Sequence, residues 1–91
     1  MKIYIAGKIT DDFGYKQKFA SYTRAVEGEG YTVMNPAVLP AGMASADYMR
    51  ICFAMIDSAD VVAFLPDWKD SPGARLEQDY CCYVGKHIEY L

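Results

Sequence analysis

Residues 60–77 of this 91-residue chain read DVVAFLPDWKDSPGARLE, and they predict a central strand, a loop and the start of a helix. The segment VVAFL at 61–65 is apolar at every position, which is typical of a parallel strand that is covered on both faces. Residues 66–71 predict a loop. Ser71 followed by Pro72 predicts a helix start, because serine caps helices and proline favours the first helical position.

The rest of the chain repeats this alternation of strand and helix patterns. Short stretches rich in Ile, Val and Tyr predict strands, and apolar residues at three- and four-residue spacing predict helices. In order, the predicted elements are strand 2–6, helix 15–29, strand 31–34, helix 45–58 capped by Ser45, strand 61–65, helix 72–84 ended by Gly85, and strand 87–91. This order predicts one α/β domain over residues 1–91, a compact parallel sheet of about four strands with helices on both faces, flavodoxin- or Rossmann-like. Ligands of such folds bind beyond the carboxyl ends of the strands, which here are the loops 7–14, 35–44 and 66–72.

Composition and charge narrow the classes of function. Nine basic and twelve acidic residues give a net charge of −3, and the basic residues are scattered, so we expect no nucleic-acid partner. No apolar run reaches the ~20 residues of a membrane span, and the N-terminal apolar stretch is too short for a secretion signal. We therefore expect a cytoplasmic protein without a membrane partner. Three cysteines and one histidine predict neither a disulfide framework nor a zinc site, and we expect no metal and no cofactor.

Two features of the sequence favour self-association. Helix 45–58 is apolar on nearly all sides, and a helix of this kind must be covered on more than one face. Eight tyrosines in so short a chain favour half-buried positions at interfaces and in ligand pockets. We therefore expect a homodimer or a larger homo-oligomer, with helix 45–58 at the contact.

The start of the helix at 72–84 carries the strongest candidate site. Ser71 and Gly73 lie where free backbone N–H groups and the helix dipole favour an anion, and glycine lets a ligand approach the backbone. Glu77 lies about one and a half turns further along, where the positive helix end favours its ionised form. A capping serine and an early glutamate that only stabilise the helix explain the same residues equally simply.

Further candidates border the same strand ends. Tyr4 shares one face of the first strand with Ala6, and it could either hydrogen-bond a carboxylate or pack beneath a helix. Gly7 opens the loop that follows this strand. Trp68 is expected either to stack on a base or sugar or to cover the core. The charged residues within 67–70 are most simply a solvated loop.

Together these stretches resemble a known superfamily. YIAG at 4–7, NP at 35–36, SADVVAFLP at 58–66 and DSPGARLE at 70–77 resemble the nucleoside 2-deoxyribosyltransferase superfamily. The resemblance is greatest to its small phage- or prophage-encoded branch of uncharacterised proteins, and the chain is also similar to the 2′-deoxynucleoside 5′-phosphate N-hydrolases. The matched stretches follow the family's order over nearly the whole chain.

The resemblance implies a chemistry. In that superfamily a helix glutamate, here Glu77, attacks C1′ of a nucleoside or nucleotide and expels the base, and a second base or water resolves the covalent glycosyl-enzyme. The N-terminal tyrosine, here Tyr4, orients the nucleophile. Ser71, six residues before Glu77, matches a serine that binds the 5′-phosphate of monophosphate substrates. Asp70 matches the acidic residue of the transferases if the alignment is shifted by one position.

The chain also departs from the family pattern. The aspartate that serves the leaving base is expected eight residues before Asp60, and that position holds Cys52, a poor general acid at neutral pH. Tyr48, one helical turn earlier, is a weaker alternative donor. Lys8 stands where proline or serine usually follows the glycine, and it either pairs with a phosphate or is a solvated loop lysine. The chain is also shorter than the full-length transferases.

These observations leave two functions to be weighed. The first is an N-glycosidase or 2-deoxyribosyltransferase with Glu77 as the nucleophile, Tyr4 as its orienting residue, and Ser71 with the backbone around Gly73 as the phosphate site. The second is a catalytically inactive module that binds a nucleotide or an ADP-ribose-like ligand in order to sequester or sense it. Cys52 at the acid position favours the second function.

Overall fold

Strand β3, Val61–Phe64, lies inside a four-stranded sheet in the computed structural model, which describes residues 1–91. It pairs with β1 (Lys2–Ala6) on one side and with β4 (His87–Tyr90) on the other. Strand β2 (Thr32–Met34) pairs with the outer side of β1. All pairs are parallel and the strand order is β2-β1-β3-β4, which confirms the predicted parallel sheet of about four strands.

Three helices cover the two faces of the sheet, as the sequence predicts. Helix α1 (Tyr15–Glu27) packs on one face through the buried residues Phe19 and Val26. Helices α2 (Ser45–Ser58) and α3 (Pro72–Val84) pack on the opposite face. None of the three is long and apolar enough to cross a membrane.

The ends of several elements differ from the prediction by one or two residues. Helix α1 stops at Glu27 rather than 29, because the amides of Glu29 and Gly30 each bond to a carbonyl three residues back and tighten the last turn. The predicted cap at Ser45 is wrong. Ala44 occupies the N-cap position with no side-chain hydrogen bond, and Ser45 is the first helical residue. Strands β2, β3 and β4 are each one residue shorter than predicted.

The alternation of side chains along β1 determines which residues can meet α3. Ile3 and Ile5 pack in the clusters that contain α1 residues, whereas Tyr4 and Ala6 pack in the cluster that contains α2 and α3 residues. Strand β3 is likewise buried on both faces, which explains why residues 61–65 include no polar side chain. Tyr4 therefore points to the face of the sheet on which α3 lies.

Most of the apolar circumference of α2 finds partners within the chain. Cys52 and Ile56 are buried against the sheet. Phe53 stacks on Tyr80 of α3, with 4.5 Å between ring centroids, and residues near the start of α2 line the cavity described below. The apolar surface of α2 therefore does not by itself require a second subunit, and the homo-oligomer stays a prediction.

The strand order creates a crevice at one edge of the sheet. The chain leaves β1 outward to β2 and then crosses back to β3 on the other side of β1. The connections that follow the neighbouring strands β1 and β3 leave in opposite directions. They open a space at the carboxyl ends of these two strands, where ligands of such folds bind. Here those ends are Ala6 and Phe64, each of which is followed by a buried residue, Gly7 and Leu65.

Candidate active site

A cavity of about 290 Å³ opens at the carboxyl end of β1. The walls are formed by the loops after β1 and β2, by Ser71 at the end of the loop after β3, and by side chains of β1 and of the three helices, so all three expected loops contribute. Its volume lies near the lower limit of small-molecule sites, which is roughly 300 Å³. The lining residues are Tyr4, Gly7, Ile9, Thr10, Tyr15, Pro36, Ala37, Leu39, Ala41, Gly42, Ser45, Tyr48, Met49, Cys52, Ser71 and Glu77.

A buried carboxyl group and a buried phenol meet in this cavity. The Tyr4 hydroxyl donates a hydrogen bond to Oε2 of Glu77, although the two residues are 73 positions apart in the sequence. Tyr4 is 1% exposed and Glu77 is 4% exposed. Because Tyr4 extends from a central strand and Glu77 from a helix packed on that strand, both side chains are held by rigid elements.

The surroundings of Glu77 change its acidity. Burial raises the pKa of its carboxyl group to about 7, and the hydrogen bond from Tyr4 acts in the opposite direction. Desolvation therefore outweighs the hydrogen bond, and the carboxyl is less acidic than its place near the start of a helix predicts. Burial and the neighbouring carboxylate raise the pKa of Tyr4 well above its usual value, so the phenol keeps its proton and acts as a donor.

The start of α3 has the geometry that the sequence predicts. Ser71 occupies the N-cap position, and its Oγ accepts a hydrogen bond from the backbone N–H of Ala74 at 3.2 Å. Ser71 is 8% exposed and lines the cavity, whereas Gly73 lies outside the lining. A Cβ atom at Gly73 would approach the Met49 side chain to 3.4 Å. The cap that stabilises α3 therefore also places one hydroxyl in the cavity wall.

The loop after β1 brings one of its two candidate residues into the cavity. Gly7 lines it, and a Cβ atom there would lie 2.9 Å from Cδ1 of Leu65, so tight packing at the strand ends requires glycine. Lys8 is outside the lining. Its backbone N–H donates to Oδ1 of Asp67 at 3.1 Å, and its carbonyl accepts from the ammonium of Lys18 at 2.8 Å.

Trp68 lies in an aromatic cluster and outside the cavity lining. Its ring centroid is 5.5 Å from that of Phe64 and 5.8 Å from that of Tyr90. It belongs to a single turn of 3₁₀ helix at Trp68–Asp70, directly before α3. Of the two expected roles, this position matches cover of the core, and stacking on a base or sugar stays a prediction.

Cys52 occupies the place where the superfamily resemblance implies an acid. It is 7% exposed, lines the cavity and packs in the same apolar cluster as Tyr4. Burial raises the pKa of its thiol, and a hydrogen bond with Tyr4 partly offsets this rise. Tyr48 also lines the cavity, but its hydroxyl donates to the carbonyl of Pro40. The Cys52 thiol therefore holds its proton firmly, and the Tyr48 hydroxyl is already engaged in a hydrogen bond.

A charged cluster beside the cavity was missed by sequence reasoning, which assigned residues 67–70 to a solvated loop. The ammonium of Lys18 lies 2.5 Å from a carboxylate oxygen of Asp12 and 2.5 Å from one of Asp67. Asp67 also accepts from the backbone of Lys8, so the loops after β1 and β3 are tied together. The partners are up to 49 residues apart, and no local spacing in the sequence indicates them.

The fold and the cavity define a class of protein. It is a doubly wound α/β domain that carries a buried carboxyl–phenol pair where the strand order reverses. The model of one family, described as a domain of unknown function (DUF4406), matches residues 1–90. The chain belongs to this family.

Comparison with solved structures gives a similar fold. The chain superposes on a 2-desoxiribosyltransferase from Leishmania mexicana with a TM-score of 0.75 and 18% sequence identity. The match covers 99% of this chain and 63% of that one, so this chain spans less than two thirds of the neighbour's length. No curated protein matches the chain by sequence. At this identity the comparison establishes the shared fold.

Proposed function

We propose that this protein cleaves the N-glycosidic bond of a nucleoside or nucleotide, as an N-glycosidase or a 2-deoxyribosyltransferase. The observation that carries the proposal is the Tyr4–Glu77 hydrogen bond inside the cavity. A carboxylate acts as a glycosyl nucleophile when it is ionised, held in one orientation and shielded from water. Burial and the phenol of Tyr4 meet the last two requirements. A pKa of about 7 leaves about half of the Glu77 side chains ionised at neutral pH.

The proposed reaction has two displacements. In the first, an oxygen of Glu77 bonds to C1′ of the sugar while the bond from C1′ to the base nitrogen breaks, and the electron pair leaves with the base. In the second, water or the nitrogen of another base attacks C1′ and loses its proton to the solvent, and the glycosyl ester bond breaks to restore the carboxylate. Tyr4 donates to the free carboxyl group before the first displacement and after the second, which orients Glu77 and moderates its pKa.

The cavity walls suit the uncharged parts of such a ligand. Apolar side chains from the loops after β1 and β2 supply apolar contact surface, for example those of Ile9, Pro36 and Leu39. The hydroxyl of Ser71 accepts from Ala74 and keeps its own proton available to a ligand oxygen. A 5′-phosphate would sit at this point, beside the start of α3.

The proposal is tested by release of free base. We would incubate the protein with a panel of deoxynucleosides and deoxynucleoside 5′-monophosphates and detect the free base by chromatography. Glu77→Gln keeps the shape of the side chain and removes the nucleophile, and we expect it to abolish release. Glu27→Gln, at the exposed end of α1, is the matched control and is expected to behave as wild type. Equal release by wild type and Glu77→Gln would refute the role of Glu77.

A second function is favoured by one observation, the buried thiol of Cys52 beside the reactive pair. A thiol that holds its proton contributes little as a general acid, and such catalysis is typically worth 10²–10⁴-fold. The alternative is a catalytically inactive module that binds a nucleotide or an ADP-ribose-like ligand. It predicts that nucleotides raise the melting temperature of the wild type while no base is released from any of them.

A further inference from the structure

The cavity has an unusual balance of charge for a site that acts on nucleosides. Glu77 is the one acidic residue among the sixteen that line the cavity, and the lining contains no lysine, arginine or histidine. The ammonium of Lys18, which contacts the loop after β1, is already paired with Asp12 and Asp67. No cation in the lining therefore balances ionised Glu77, and a ligand whose positive charge lies near this carboxylate is favoured electrostatically.

The groups in the cavity that could protonate a departing base are weak acids. The hydroxyl of Tyr4 is committed to Glu77, and burial raises the pKa of both Tyr4 and Cys52. Tyr48 donates to the carbonyl of Pro40. The remaining lining hydroxyls, those of Thr10, Tyr15, Ser45 and Ser71, belong to alcohols and a phenol. As chemical classes, alcohols and phenols are much weaker acids than carboxylic acids or imidazolium ions.

A base that departs from an uncharged nucleoside takes the bonding electron pair with it and becomes an anion unless it receives a proton. A base whose ring nitrogen already carries a positive charge departs as a neutral molecule and needs no proton. We propose that the preferred substrates are N-glycosides of a cationic base, such as pyridinium nucleosides or N7-alkylated purine nucleosides. This inference rests on the proposed function, because it assumes that Glu77 attacks C1′.

The reaction balances without any group beyond water. An oxygen of ionised Glu77 bonds to C1′, the bond from C1′ to the ring nitrogen breaks, and its electron pair neutralises the positive ring. Water then attacks C1′ and loses its proton to the solvent, and the ester bond breaks to release the sugar and the carboxylate. Nothing is oxidised or reduced. The positive ring also lies close to the carboxylate before the reaction, where it favours the ionised form of Glu77.

A matched pair of substrates tests the inference. 7-Methyl-2′-deoxyguanosine and 2′-deoxyguanosine share the sugar and ring system and differ in one methyl group and its positive charge. We would measure kcat/KM for base release from each, subtract the rate without protein, and repeat with Glu77→Gln. We expect the cationic substrate to be favoured by at least about 10²-fold, the lower range of what general acid catalysis supplies. 1-(2-Deoxyribosyl)nicotinamide, a smaller cationic probe, is expected to be cleaved as well.

Cys52→Asp sharpens the test, because it places a carboxyl group beside Glu77 and so adds a proton donor of raised pKa. We expect this variant to speed release from 2′-deoxyguanosine about tenfold or more relative to release from the cationic substrate, so that the preference narrows. Cys52→Ser, which adds no acid, controls for the change of shape and should keep the wild-type preference.

The outcomes separate the inference from the proposed function. Glu77-dependent release from both substrates at rates within a few-fold of each other would overturn the preference for cationic bases and leave the proposed function standing. Release from neither substrate nor the pyridinium probe, by folded wild-type protein, would overturn both. Release from the cationic substrates alone would support both, even if Cys52→Asp failed to fold.

Discussion

Two carboxyl groups at opposite ends of the sheet have opposite environments. Asp60 lies just before β3, is exposed, and accepts a hydrogen bond from the backbone N–H of Lys2 at 2.8 Å. That hydrogen bond lowers its pKa. Glu77 lies at the carboxyl end of β1, is 4% exposed, and burial raises its pKa to about 7. The Asp60 carboxylate links the start of β1 to the start of β3 at the exposed surface. The Glu77 carboxyl group is shielded from water but lines the cavity, where a ligand can reach it.

The comparison shows how to recognise a reactive group in this fold. Both residues are acidic, and both accept one hydrogen bond from β1: Asp60 from the backbone of Lys2 and Glu77 from the hydroxyl of Tyr4. They differ in solvation, and a buried carboxyl with a raised pKa has a cost that the fold would avoid if Glu77 were only structural. We infer that Glu77 serves chemistry and that Asp60 serves strand pairing.

The largest expected effect separates the two residues by activity. Glu77→Gln should lower the rate of base release by about 10³-fold or more, because loss of a nucleophile removes the covalent route. Asp60→Asn should leave the rate near that of wild type. The measurement is kcat/KM for each variant on whichever deoxynucleoside releases most base. A similar loss in both variants would break the distinction between the two ends of the sheet.

Stability against pH tests the environment of Glu77 itself. The carboxyl titrates near 4.5 when unfolded and near 7 when folded. Between these values the folded state binds more protons, so the free energy of unfolding should fall as the pH rises from about 5 to 8 and then level off. The loss attributable to Glu77 is about 3 kcal/mol.

Urea unfolding at several pH values, with Glu77→Gln alongside, measures this loss as the difference in pH dependence between wild type and variant. Parallel curves for the two proteins would show that Glu77 titrates near its ordinary pKa when folded. The desolvated environment that we assign to Glu77 would then be wrong.

Tyr4→Phe is expected to have an intermediate effect. The hydrogen bond from Tyr4 lowers the pKa of Glu77, so its removal should raise that pKa further. Base release should then rise with pH through a midpoint above the value near 7 expected for wild type. At neutral pH the rate should fall about 10- to 100-fold, the range for a hydrogen bond to a charged group. A pH–rate profile of both proteins checks this, and an unshifted midpoint would exclude Tyr4 from tuning Glu77.

Asp60→Asn should produce the smallest change. The side chain accepts one hydrogen bond on the surface, so we expect a decrease in the melting temperature of no more than a few degrees at neutral pH. The difference from wild type should shrink in acid, because the lowered pKa of Asp60 contributes to stability only while the carboxyl is ionised. A thermal melt at pH 7 and at pH 3 measures it.

Sequence reasoning captures what local chemistry determines. The uniformly apolar VVAFL forms a strand buried on both faces, and Ser71 caps α3 while Gly85 ends it in the left-handed conformation. Ser45 was expected to cap α2 on the same local logic and does not, because the helix begins one residue earlier than the prediction requires.

The site was harder to predict because it depends on distant contacts. Nothing in the sequence near Tyr4 or Glu77 shows that they meet, and their pairing came from the superfamily resemblance. Burial of Glu77 depends on how distant parts of the chain pack together, so its raised pKa could not be anticipated from the sequence. The positions of Trp68 and Lys8 outside the cavity, and the salt bridge from Lys18 to Asp67, likewise follow from loop packing.

The most direct test of the central claim is to trap the glycosyl group on the protein. Wild type would be mixed with a substrate that releases base, quenched in acid within the first turnover, digested and examined by mass spectrometry. We predict that the peptide containing Glu77 gains the mass of one pentosyl group, and that Glu77→Gln gains none. Release of base with the label on another residue, or equally from Glu77→Gln, would contradict the assignment of Glu77 as the nucleophile.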